Sequence, residues 1–219
     1  MHIEIGILSQ PKLLLAATAA TALVSAHLLP VFKKPAQAPA VLLRTLLAAF
    51  FFSLLMQLWH LSVGPSELHL VGAMPIYLLF GFLPTLFGFG IGLLLQALVF
   101  EPQDLVHLAV NFLSLAVPLL AVHHLLGKRL QRLTVANVLK LDAVYYAGVT
   151  LMVGFWLSIS AAPAALEGWA TFAASYLLLV LIEPVLTIAL VIGGRRLQTS
   201  RWMTLALDEA WLSRSRLQA

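Results

Sequence analysis

The chain has 219 residues, of which 61% are hydrophobic and only 10% charged, and its mean hydropathy is +0.97. That excludes a soluble domain with an ordinary polar surface and points to a bilayer as the solvent. The absence of cysteine excludes disulfide frameworks, thiolate metal sites and cysteine nucleophiles, so any metal must be held by nitrogen or oxygen. The pI of about 9.7 comes from thirteen Lys and Arg scattered between apolar runs and not from a basic stripe interleaved with aromatics, which argues against nucleic acid as a partner.

The amino terminus, Met1-His2-Ile3-Glu4-Ile5-Gly6, has neither a basic leader region nor a small-residue cleavage site before the first long apolar run, and reads as uncleaved. Apolar runs follow at residues 13–32, 41–61, 70–86, 87–100, 105–126, 141–160 and 169–192. At about 20 residues per crossing they predict an all-α polytopic membrane bundle of about seven transmembrane helices, a single integral domain over residues 1–219. The first run carries small residues at four-residue spacing, Ala16 with Ala20 and Ala22 with Ala26, which allow close approach of helices within the bundle or of another membrane protein.

The third and fourth runs could also be one kinked helix, because Pro84, Gly88 and Gly90 crowd their junction. Charge separates the two readings. With seven spans and the amino terminus outside, Lys33, Lys34, Lys128, Arg129, Arg132, Arg195, Arg196 and Arg201 all fall on the cytoplasmic side and only Lys12 outside. Merging the two runs would put the 128–132 cluster outside. The favoured topology makes residues 1–12 an outer segment and residues 202–219, with Trp202 and Trp211 among charges, a cytoplasmic interfacial helix.

Gln96, Asn111 and Glu183 fall within apolar runs, where polar groups are expensive, and each is expected to find support inside the bundle. Asp142, beside Lys140 at a boundary, reads as solvated or snorkelling. His27, His123 and His124 read as packing or interfacial residues.

Two histidines share the outer side: His2, and His69 at the entrance of the third run. A histidine at position two has a particular chelating geometry. The terminal amine, the residue's own deprotonated backbone nitrogen and its ring Nδ1 close adjacent five- and six-membered rings on one ion. A fourth nitrogen from His69 completes a planar set that suits Ni(II) or Cu(II), with Co(II) also accommodated, better than tetrahedral zinc. On the residues alone a plainer reading stands beside this one, in which His2 is accidental and His69 bonds a loop carbonyl. Ser66 and Glu67 either orient His69 and neutralise the cation or are simply solvated, and His60 is either on the ion's way in or interfacial.

The opening Met1-His2-Ile3 with Gly6 and Leu8, the segment from Ser66 to Gly72, Gln96-Ala97-Leu98, Asn111 and Glu183 together resemble the CbiM/NikM-type membrane component of energy-coupling-factor transporters. The resemblance implies capture of cobalt or nickel as transported substrate, with no permanent cofactor. It implies Met1, His2 and His69 as metal ligands; where the family usually places an acidic residue directly before the glycine, this chain departs from it, with Ile5 before Gly6 and the acid at Glu4. It also implies partners: a membrane coupling subunit and cytoplasmic ATPase subunits, in the inner membrane. This chain has no Walker-type phosphate loop and no His-Glu-x-x-His pattern, so ATP hydrolysis falls to those partners and an enzyme is disfavoured. Alternatives are a solitary metal carrier or metal-sensing membrane protein, and a vitamin-binding component of the same transporter class.

Overall fold

The computed structural model describes residues 6–63, 66–130, 133–161, 165–197 and 201–208. Among them run α1 (Gln10–Phe32), α2 (Ala38–Leu58), a hairpin of β1 (His60–Val63) and β2 (Ser66–His69), α3 (Ala73–Phe80), α4 (Phe82–Val99), α5 (Leu108–Val122), α6 (Val135–Ser158), α7 (Ala165–Leu197) and α8 (Arg201–Ala206). Six helical stretches are long and apolar enough to cross a membrane. The architecture is the expected all-α polytopic bundle, with eight α-helices among the described residues, of which α3 and α8 are short.

Local chemistry sets the helix ends. Pro11 opens α1 in its first turn, where the missing N–H costs nothing, and Thr134 caps α6 by accepting the Asn137 N–H at 3.2 Å. Inside α1, the hydroxyls of Thr18 and Thr21 donate to the carbonyls of Leu14 and Ala17, which keeps them satisfied in lipid.

The long helices α2 and α4 run parallel, with Gly88 against Ala48, Gly92 against Phe52 and Gln57 bonded to Gln96, because the short α3 returns the chain between them; the bundle has two distinct ends. At one, the start of α1 meets the end of α6: Ala161 N–H donates to Ile7 O at 2.9 Å, and Lys12 Nζ donates to Ile159 O. The hairpin lies at this end. At the other, Arg44 of α2 donates to Leu205 O and pairs with Asp208 at 4.0 Å, while Asp208 N–H donates to Leu79 O at 2.6 Å, drawing α8 across the end of α3.

The junction of the third and fourth apolar runs differs from the expected boundary. The chain breaks at Gly81, not between residues 86 and 87, so the third element shrinks and α4 gains a full 18 residues. Gly81 has φ +89°, a conformation side chains rarely tolerate, and Pro84 then falls in the first turn of α4, where it starts a helix instead of kinking one. α3, at eight residues, rises only about 12 Å of the roughly 30 Å hydrocarbon core. β2, Ser66–His69, precedes it in extended backbone at about 3.3 Å per residue, and the left-handed Gly72 turns the chain into the helix.

That arrangement sinks the hairpin into the bundle, where both strands pack against α7 and β2 also packs against α2. Non-helical backbone away from water survives only when protein covers it, and α2 and α7 do so for β2, whereas His60, Leu61 and Ser62 of β1 are exposed. The core is continuous from the hairpin through Val71, Met74, Tyr77, Phe89, Leu115, Tyr145 and Phe172. Asp142 departs from its expected solvation: it is 0% exposed, neither carboxylate oxygen has a hydrogen-bond partner, and it faces Glu183 across the α6–α7 interface. The cause is its place two turns inside α6, beyond the reach of the boundary. Of the expected 202–219 helix, α8 ends at Ala206, and residues beyond 208 lie outside the described ones.

Candidate functional site

The hairpin was not anticipated from the sequence, although Gly64-Pro65 between two four-residue strands is a turn signal. Its antiparallel register places His60 opposite His69, Ser62 opposite Glu67 and Val63 opposite Ser66. Cross-strand neighbours on one face approach closely, and the His60 and His69 rings accordingly stack at 5.8 Å between centroids, with planes 27° apart. The two differ in setting: His60 is exposed, whereas His69 is 5% exposed.

His69 is held on both sides. Its Nε2 lies 3.1 Å from Glu67 Oε2, and its Nδ1 lies 3.5 Å from the carbonyl oxygen of Met56 at the end of α2. Glu67 in turn accepts from Ser62 Oγ at 3.5 Å. Both neighbours of the ring are acceptors, while a neutral imidazole carries one N–H. One nitrogen can therefore donate while the other presents a lone pair in a carboxylate-lined setting, an arrangement suited to a cation. Ser66 is 2% exposed and, among the described residues, its hydroxyl has no hydrogen-bond partner, so it is not the solvated loop residue of the plainer reading.

The link after His69 is pinned twice. Gly72 has φ +62°, and a Cβ there would collide with Leu55 of α2. Just beyond it, the Met74 N–H donates to Glu183 Oε1 at 3.4 Å, and the backbone of Gly72 and Ala73 also faces that carboxylate.

The remaining predicted residues fall in three groups. Met1, His2 and Glu4 lie outside the described residues; what is seen nearest them is Ile7 tied to Ala161 and Leu8 buried in the core, both at the hairpin end. Gln96 on α4 finds partners on α2, accepting from Gln57 Nε2 at 2.5 Å and donating to Ser53 O at 2.8 Å. Asn111 on α5 is 1% exposed, and its side-chain oxygen has no hydrogen-bond partner. Neither Gln96 nor Asn111 is linked to the hairpin by a hydrogen bond among those described. Among the described residues no three His, Asp or Glu side chains gather as a ligand group, so the hairpin by itself does not enclose an ion.

The opposite end carries its own histidine cluster, read from the sequence as packing or interfacial residues. His123 stacks on Phe82 with centroids 4.0 Å apart and accepts from or donates to the Tyr77 hydroxyl at 3.0 Å. It starts a π-helical turn, His123–Gly127, beneath the end of α5. The close stacking bears out a packing role.

No curated protein and no solved structure matches the chain. The family model described as the cobalt uptake substrate-specific transmembrane region, CbiM, matches residues 2–198, a stretch that takes in the hairpin and all six long helices. The chain therefore belongs to the CbiM family of substrate-specific transmembrane components of cobalt uptake.

Proposed function

We propose that this multi-pass protein captures Ni2+ or Co2+ on the outer face of the inner membrane. It then delivers the ion inward as the substrate-specific component of an energy-coupling-factor transporter. The observation that carries the reading is His69: a buried imidazole at the end of a sunken hairpin, flanked by a carboxylate, at the same end of the bundle as the start of α1. In this reading the amine of Met1 and the backbone and ring nitrogens of His2 supply three donors, and His69 supplies the fourth. Four nitrogens in a plane favour late first-row divalent ions. Glu67 orients the ring and offsets the ion's charge, Glu4 and Ser66 stand beside the site, and His60 lies on the way in.

Orientation follows from charge. The end opposite the hairpin holds Lys33, Lys34, Lys128, Arg129, Arg195 and Arg196, whereas the hairpin end holds Lys12 with Glu67, Glu101, Asp104 and Glu167. The positive-inside rule makes the hairpin end the outer one and the carboxy-terminal end cytoplasmic. Energy comes from a membrane coupling subunit and cytoplasmic ATPase subunits, since the chain has no phosphate loop of its own.

Uptake of labelled Co2+ and Ni2+ by cells tests the assignment. Uptake should require this chain, His69 and the ATPase partners together. Undiminished uptake by the chain alone in liposomes would make it a solitary carrier, and loss of dependence on His69 would remove the site.

A further inference from the structure

We propose that Glu183 is a positioning residue for His69, an inference that rests on the ion site proposed above. From the middle of α7 its carboxylate fixes the first turn of α3 and, through residues 70–72, the depth at which the His69 ring meets the ion.

The need for such a residue follows from where α3 begins. The first turn of any helix leaves backbone N–H groups without intrahelical partners, and water normally takes them. α3 begins inside the bundle, with Val71, Gly72, Ala73 and Met74 all buried, so water is not at hand. Its N-cap, Gly72, has no side chain to offer. The acceptor comes from another helix: Glu183 is 0% exposed, bonds the Met74 N–H at 3.4 Å and faces the backbone of Gly72 and Ala73. The partial positive charge at a helix N-terminus, about half a unit, is the natural partner for a carboxylate so deep in the membrane.

The same carboxylate is placed to transmit position. His69 ends β2, and three residues separate it from Ala73, the first residue of α3. The link has little freedom: Leu70 N–H is tied to Trp59 O at 3.2 Å, Val71 is 0% exposed, and Gly72 is buried in a left-handed conformation, φ +62°. A shift of α3's first turn therefore moves the ring. On its other side Glu183 faces Asp142 and Tyr145 of α6, and among the described residues its Oε2 takes no hydrogen bond, so the donors it meets among them are those at the start of α3. Pro184 follows directly and removes the backbone N–H that would bond Val180 O, which leaves α7 locally free to adjust at this contact.

The test uses the full chain with its native amino terminus, loaded with one equivalent of Cu2+ as a probe whose electron paramagnetic resonance spectrum counts bound nitrogens. Wild type should show four. Glu183→Met, of similar volume but with no acceptor, should still bind one ion through the terminal chelate yet show three nitrogens, as His69→Ala does. Its ion should also leave about tenfold faster. Glu183→Gln, which keeps an acceptor, should restore four. A purely structural role would lower the melting temperature of Glu183→Met and leave the count at four, and that result overturns the proposal. Glu183→Leu gives the same reading should the Met variant not fold. A wild-type spectrum without four nitrogens would instead remove the underlying site, and the positioning role with it.

Discussion

Helices α1 and α3 are opposites. α1 runs 23 residues, and only Ala16 and Ala20 are buried; α3 runs eight, and all but Leu79 are buried. A long helix bathed in lipid announces itself by composition, because each apolar side chain meets solvent of its own kind. A short helix enclosed by protein has the same composition, yet its meaning lies in what it carries: the hairpin, the left-handed Gly72 and the capped first turn. Hydropathy thus locates the membrane and passes over the element that positions the site.

That contrast can be broken by substitution. The largest stability effect is expected at Gly72→Ala, where a left-handed backbone costs about 1–2 kcal/mol, while the Leu55 methyl in the way is the far end of a flexible side chain and can turn aside. Denaturant unfolding in detergent should show a loss within that range; an unchanged midpoint would mean the left-handed link is not fixed. Glu67→Met should weaken Co2+ binding about 10–100-fold, read by calorimetry, because it removes the oxygen that orients His69. Tyr77→Phe, at the far end of α3, should cost about 1 kcal/mol for the lost bond to His123 and leave Co2+ affinity unchanged. Leu14→Ala on α1, 69% exposed to the lipid side, should lie within about 0.5 kcal/mol of wild type. Equal costs at Leu14 and Gly72 would erase the distinction between the two helices.

The same distinction explains what was legible in the sequence. Lipid-facing runs over residues 13–32 and 169–192 fall within α1 and α7, because length and apolarity are all that such helices require. The charge imbalance likewise kept the third and fourth runs apart, and Gly81 does part them. The hairpin escaped because the run over 41–61 stayed apolar through Leu61, hiding the change from helical to extended backbone after Leu58. Asp142 was misread because its neighbour Lys140 suggested a boundary, whereas helix phase turns the aspartate inward. His69, Glu67 and Ser66 were picked out by residue type and position, but the stacking of His60 on His69 required a register that only the hairpin fixes. Glu183 was read as intramembrane support; its partner, the start of α3, was invisible while α3 was taken to begin at residue 70.

The central claim is that the amino terminus and His69 share one ion, and the most direct measurement is the number of Co2+ or Ni2+ ions bound by the purified chain. It is made once with Met1 first and once with a few residues placed before it. The account predicts one ion per chain in the first form and none in the second, because extension removes the terminal amine and displaces His2. Binding that survives the extension unchanged would contradict it.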